Sequence, residues 1–187
     1  PKAITFDILN TEPSIYGEED DIALGAAEAK SKKVIQTFFY SAEDYGKTLM
    51  PVKPINDNAA LLGNITSAKD SDDIIRRTRL FDTFNDTEYP TLGLAPLFLN
   101  EEAPDFSSIP VVDNNTALLR FTKSIDDYFP YSAKDILESH DLWLQGKEGI
   151  LSPEDFNDLY IFCAYYAPGL FDICSTPVSQ VYPGVGI

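Results

Sequence analysis

One histidine, one tryptophan, one methionine and two cysteines are all that this chain of 187 residues carries of those types. Each scarcity closes a door. A lone His140 excludes the many zinc sites that need two or more histidines, and any Ser-His-Asp or Cys-His arrangement would have to use it. A single Trp gives poor support to an aromatic platform for sugars. No Gly-x-Ser-x-Gly, no phosphate-cradling glycine loop and no Cys-x-x-Cys is present. Positive charge is scarce as well: 14 Lys and Arg stand against 30 Asp and Glu, a net charge of −16. That balance excludes nucleic acid, which needs clustered cations to neutralise phosphate, and it disfavours anionic membrane surfaces. No apolar run approaches the roughly 20 residues that span a bilayer, so membrane insertion is not expected. No signal peptide is visible, and Pro1 in place of Met leaves two origins open, a removed leader or a trimmed initiator.

Hydrophobic residues make up 44% and aromatics 12% of the chain, enough for a proper core. The acidic surface then suits a self-repelling, soluble protein.

Internal echoes organise the sequence. Phe38-Phe39-Tyr40-Ser41-Ala42-Glu43-Asp44 returns as Phe129-Pro130-Tyr131-Ser132-Ala133-Lys134-Asp135. Leu9–Pro13 is answered by Leu99–Pro104, Leu80–Asp82 by Leu170–Asp172, Tyr89–Leu94 by Tyr182–Ile187 and Ser67–Asp70 by Ser152–Asp155. Five echoes in one order point to two diverged tandem repeats of about 93 residues, unit 1 over 1–94 and unit 2 over 95–187.

The local patterns predict an α+β protein, with a mainly α fold as the alternative. Ala3–Leu9 and Val34–Tyr40 read as strands. Acids at 18–21 and lysines at 30–33 flank an Ala-rich helix over 19–32. Ser41 and Ser132 read as N-caps of helices reaching Met50 and residue 145. Residues 51–66 read as loop. Ser67 or Ser71 is expected to cap a helix with Ile74, Ile75, Thr78 and Phe81 inward. On it Arg76, Arg77 and Arg79 would sit on a solvated face, with Asp72–Arg76 and Asp73–Arg77 as i,i+4 pairs. Leu97–Asn100, Pro110–Val112 and Ala117–Thr122 read as strands. Ser152-Pro153-Glu154-Asp155 is a capping box, opening a helix that carries Phe156, Leu159, Tyr160 and Cys163 on one face. His140 falls on the apolar stripe Ile136, Leu137, Trp143 and Leu144, and reads as a partly buried structural residue.

Cys163 and Cys174 both lie in unit 2, across the Pro168-Gly169 turn, where a disulfide or two buried thiols are equally compatible with the spacing. Sequons at Asn64, Asn85 and Asn114 are candidate glycosylation sites, favouring an extracellular or particle-surface setting while leaving a cytoplasmic one open.

Gly149–Phe156 resembles the second half of an EF-hand. The first half departs from that pattern, with Leu144 and Gly146 where Asp ligands belong and only Glu148 able to serve, so no tight Ca²⁺ site is expected. The acid clusters at 18–21, 70–73, 101–105 and 126–127 could hold divalent cations weakly, and no cofactor is implied. No spacing selects a catalytic pair. Two functions are compatible with these features. One is a non-enzymatic structural or binding protein, joined to protein partners or to copies of itself in an extracellular or virion-like assembly. The other is a small secreted enzyme acting on glycans through carboxylates or a metal.

Overall fold

The structure is a computed structural model that describes residues 1–41, 47–99, 109–113, 115–122, 125–128, 130–166 and 173–187. Helix accounts for 27% and strand for 29% of it, which supports the mixed class and overturns the mainly α alternative.

Four parallel strands form the frame. β1 (Ala3–Asp7) lies beside β2 (Val34–Ser41), in register Ile4↔Val34 to Phe6↔Gln36. β4 (Leu61–Asn64) adds to the outer side of β2, and β9 (Tyr160–Ala164) to the other side of β1. A parallel pair needs a crossover, and α1 (Glu18–Ser31) supplies the one between β1 and β2. The chain thus builds outward through β1, β2 and β4, then returns to the far side of β1 with β9. β3 (Lys47–Leu49) turns back antiparallel along the end of β2, Phe39↔Leu49 to Ser41↔Lys47.

Successive side chains alternate between the faces. One face carries Ala3, Thr5, Asp7, Ile35, Thr37, Gly63 and Phe162. Ala3 and Ile35 pack there on Leu92 and Ala95, the latter opening a short 3-10 helix over Ala95–Leu99. Gly63 is required at this contact, because a Cβ on it would lie 2.7 Å from the Leu92 Cα. The other face carries Val34 and Gln36, and α1 reaches it with a polar stripe. Asp21, Gly25 and Glu28, at helical spacing, are its buried residues. Gly25 lets α1 close on α2 (Lys53–Asn56): a Cβ there would sit 2.2 Å from the Pro54 carbonyl oxygen. Gln36 Nε2 donates to Glu28 Oε1 at 2.6 Å, and Asn10 Nδ2 donates to Gln36 Oε1 at 3.1 Å.

Antiparallel ribbons cover the carboxyl end of the sheet. β5 (Arg77–Arg79) pairs with β8 (Thr116–Leu118), β6 (Phe81–Phe84) with β7 (Thr87–Pro90), and β10 (Ile173–Cys174) with β11 (Tyr182–Pro183). Leu80, Leu94 and Ala117 form a second core cluster among them. α3 (Ala133–Leu144) stands apart. Ser132 caps it by accepting from Lys134 N at 3.2 Å, and buried Ser139 ties it to the following loop by accepting from Leu151 N at 2.9 Å.

Several expectations are corrected. Ser41 is the last residue of β2, paired with Lys47, so the helix expected up to Met50 gives way to a hairpin strand at 47–49; residues 42–46 lie outside the described residues. The loop expected over 51–66 contains α2 and β4. The helix expected beyond Ser67 or Ser71 is replaced by β5 and the β6–β7 hairpin. Its turn residues Asn85 and Asp86 adopt φ 49° and 60°, the left-handed pair of a tight hairpin. Leu97–Leu99 belong to a 3-10 helix instead of a strand. After the capping box only one 3-10 turn forms, over Pro153–Phe156, and Tyr160–Ala164 becomes β9, beside β1.

The duplication and its boundary at 94/95 are not confirmed. Phe38–Ser41 runs in a strand, whereas Pro130–Ser132 leads into a helix, and one sheet takes β1, β2 and β4 from unit 1 and β9 from unit 2. No described helix is long and apolar enough to cross a membrane.

Candidate ligand cavity

In open parallel sheets, ligands bind outside the carboxyl ends of the strands, where the strand order reverses. Here the order reverses at β1, between the outward run to β2 and the return in β9. A cavity of about 430 Å³ lies at that edge. Asp7 ends β1 on its sheet side. Phe162 of β9, Ile65 after β4, and Ile75, Leu80, Leu92 and Leu119 form most of its apolar wall. The C-terminal segment, through Gly184, Val185 and Ile187, closes it. That segment is held by Tyr182, whose buried ring meets Phe121 edge-on at 5.7 Å.

The polar groups on the wall are largely committed to the fold. Asn64 is buried. Its Nδ2 donates to the Tyr40 carbonyl at 3.1 Å and to Asp82 Oδ2 at 2.8 Å, and its Oδ1 accepts from Tyr40 N at 3.0 Å. Thr91 Oγ1 donates to the Asn64 carbonyl at 3.3 Å, and Thr78 Oγ1 to the Arg79 carbonyl at 3.2 Å. Two other hydroxyls on the same sheet face, Thr5 Oγ1 and Thr37 Oγ1, are buried and lack a partner among the described residues. On the opposite face, Glu28 Oε2 is in the same position. Burial raises the Glu28 carboxyl above its usual range, and the Gln36 bond offsets this only in part.

The residues singled out by sequence are scattered. Cys163 lies in β9 and Cys174 in β10 on the cavity wall; both are thiols and no disulfide joins them. Burial pushes the Cys163 thiol up, and Cys174 Sγ donates to the Tyr182 carbonyl at 3.3 Å. At the first sequon, Asn64 is buried and its amide nitrogen donates to both the Tyr40 carbonyl and Asp82. Asn85 is exposed at a hairpin tip, and Asn114 lies outside the described residues. His140 is exposed on α3, not tucked into an apolar stripe, and Leu137 and Leu144 are exposed beside it.

The acids find structural tasks. Asp20 and Asp21 hold Ser14 ahead of α1. Arg76 bridges Asp70 at 2.9 Å and Asp72 at 2.8 Å, and its guanidinium holds the Asp72 carboxyl down to about 2. The Asp72–Arg76 pair therefore forms on a turn instead of a helix, and Arg77 pairs with Asp70 in place of Asp73. Glu154 and Asp155 accept from the Ser152 hydroxyl and backbone in the capping box. The cluster at 101–105 lies outside the described residues. Among the described residues no three His, Cys, Asp or Glu side chains are grouped to hold a metal.

A second hollow, about 570 Å³ and wider open, lies at the opposite edge beside Lys2, Lys32 and Lys33. Its lysines are exposed, and Lys33 Nζ already donates to the Pro1 carbonyl at 2.7 Å, so we assign it no role.

Sequence reasoning missed Asp7 and the whole cavity. The strand–helix–strand order of β1, α1 and β2 was the available signal, because a parallel pairing drawn from it puts Asp7 at a carboxyl edge.

Fold and cavity together describe a mixed helix-and-sheet domain with a sheet-edge hollow of the kind small ligands occupy. The family model of the CHASE2 domain matches residues 1–187, and the chain belongs to that family. CHASE2 domains are sensory, ligand-binding domains, typically extracellular or periplasmic. No curated protein and no solved structure matches the chain.

Proposed function

We propose that this domain is the input module of a sensor, placed outside the cytoplasm, and that it binds a small molecule in the sheet-edge cavity without transforming it. The observation that carries this reading is the position of the cavity, at the carboxyl ends of the parallel strands where their order reverses. The family supports it, since its members are sensory. Nuclear magnetic resonance with a library of small amphiphiles tests it. Binders should perturb Asp7, Ile65, Leu92 and Val185 together, and a bulky Val185→Trp should abolish the perturbation. Binders that map instead to the lysine hollow, or that ignore Val185→Trp, would overturn it.

A second reading, self-association into an assembly, rests on β9. Among the described strands it pairs only with β1, and Tyr160-Ile161-Phe162-Cys163-Ala164 carries none of the charges that usually guard an edge. Light scattering after size exclusion should then show a dimer or larger species, which Tyr160→Glu shifts to monomer. A strict monomer at all concentrations excludes it.

A further inference from the structure

If the sheet-edge cavity is the binding site, as proposed above, its wall also restricts the class of ligand. Each polar side chain on it but one is committed to the fold. Asn64 donates both amide hydrogens, to the Tyr40 carbonyl and to Asp82, and its Oδ1 accepts from the backbone of Tyr40 and Thr66. The hydroxyl hydrogens of Thr78 and Thr91 go to backbone carbonyls, and so does the Cys174 thiol hydrogen. Asp7 is engaged within the domain as well. The exception is Ser67, which stands exposed at the rim and makes no side-chain hydrogen bond among the described residues. No described lysine or arginine lines the cavity, and the rest of the wall is hydrocarbon, including Ile65, Leu92, Phe162 and Val185.

A charged ligand finds no counterpart here. An anion meets no cationic side chain, and the Asn64 amide has no hydrogen left for it. A cation would have to draw Asp7 away from its present partner. Either ion loses its hydration on entry, and an apolar wall returns nothing for it. A hydrocarbon has no such loss, and it gains in proportion to the apolar area removed from water.

We infer that the cavity selects an uncharged, mainly hydrocarbon molecule with a single polar end. Its chain lies against Leu92 and Phe162, and its polar end stays at the Ser67 rim. A neutral hydroxyl or carbonyl at that exposed edge keeps water as a partner, so entry leaves it no unmade hydrogen bond. The volume of about 430 Å³ falls toward the lower end of the roughly 300–1,000 Å³ of small-molecule sites, so the molecule is small.

The test has two arms, both by calorimetry on the full chain at pH 7 and 150 mM salt, where the pull of the acidic surface on cations is screened beyond about 8 Å. The first compares 1-hexanol, n-hexylammonium and hexanoate, three probes of one length. Hexanol should bind at least roughly ten-fold more tightly than either ion. The second compares 1-butanol with 1-hexanol. Each methylene should tighten binding about four-fold, so hexanol should exceed butanol by roughly 15-fold. Either ion binding as tightly as hexanol overturns the neutral-ligand inference, and where Val185→Trp abolishes that binding the cavity reading stands. A gain below about three-fold from butanol to hexanol shows that the chain stays in water, and it too overturns the inference. Both comparisons use the unmodified protein, so they hold even if Val185→Trp fails to fold. Hexanol binding that Val185→Trp leaves unchanged, or the absence of binding by all three equal-length probes, overturns the cavity reading and the inference with it.

Discussion

Replacing Asn64 measures how much of the cavity edge one side chain holds. Its Oδ1 accepts from Tyr40 N at 3.0 Å and from Thr66 N at 3.2 Å, while its Nδ2 reaches Asp82 at 2.8 Å. Asn64→Ala leaves the Tyr40 N–H, in a partly buried strand position, without that acceptor, a penalty of about 1–3 kcal/mol. It also removes a hydrogen bond to a carboxylate, worth roughly 1.5–3 kcal/mol. The Tyr40 carbonyl keeps the Thr66 hydroxyl, and Asp82 keeps Arg79 at 2.8 Å, so neither adds a full second penalty. A total near 4 kcal/mol is expected, a large share of the roughly 5–15 kcal/mol that holds a domain together. Urea denaturation followed by circular dichroism reads it directly. Asn64→Asp keeps the acceptor but sets a second carboxylate against Asp82, and should cost a comparable amount. Adding Asp82→Asn to it returns a donor to the pair and should recover more than half of the loss. A cost below about 1 kcal/mol for Asn64→Ala, or a double variant no better than Asn64→Asp alone, would refute the account.

Further outcomes concern the two sheet faces. Gly25→Ala adds a better helix former, worth about 1 kcal/mol. Its Cβ, however, meets the Pro54 carbonyl oxygen at 2.2 Å, so a net loss of about 1–3 kcal/mol and a lower melting temperature are expected. Thr37→Val removes a buried hydroxyl with no partner among the described residues and should stabilise by about 1 kcal/mol, seen as a higher urea midpoint at unchanged slope. Because burial raises the Glu28 carboxyl, the folded chain holds that proton more tightly than the unfolded one. Stability from this group is full below the ordinary carboxyl range and is lost as pH rises through the raised value. Glu28→Gln should accordingly gain stability relative to the unmodified chain at pH 8 and lose that advantage at pH 4. An advantage independent of pH would show that charge is not the cause.

The sequence was legible where a pattern closes locally. Acids at Glu18–Asp21 and Lys30 delimit α1 because a helix dipole is read within its own turns. Ser132 caps α3 and Ser152 forms its capping box because both bonds span only two or three residues. The same box misled beyond its reach. Capping shows where a helix starts and says nothing of how far it runs, and Tyr160–Ala164 takes its conformation from β1, more than 150 residues earlier. The β6–β7 hairpin was hidden for a different reason. Ile74, Ile75, Thr78 and Phe81, at three- and four-residue steps, mimic a helix stripe, while the discriminating feature, Asn85-Asp86, carries a weaker turn signature than Asn-Gly. Ser41 shows the limit of residue preference: a good cap continued as strand because a hairpin partner was in reach.

The candidate site was less legible than the fold, because no short stretch contains it. Its walls come from the end of β1, the segment after β4, the β5 region and the chain's last four residues, and only the sheet order brings them together. On the proposed reading, the same order also governs how a bound ligand would act on the domain. A ligand shifts a domain only as far as it favours one arrangement over another. The sheet side of this cavity is fixed by parallel pairing on both flanks of β1. The opposite side is a 3-10 turn at Gly184–Gly186, held by a two-residue ribbon and the Tyr182 ring. Contacts of a ligand with Val185 and Ile187 therefore bear on the side with fewer restraints, so occupancy would be felt first in the C-terminal segment, with β1 acting as the anvil.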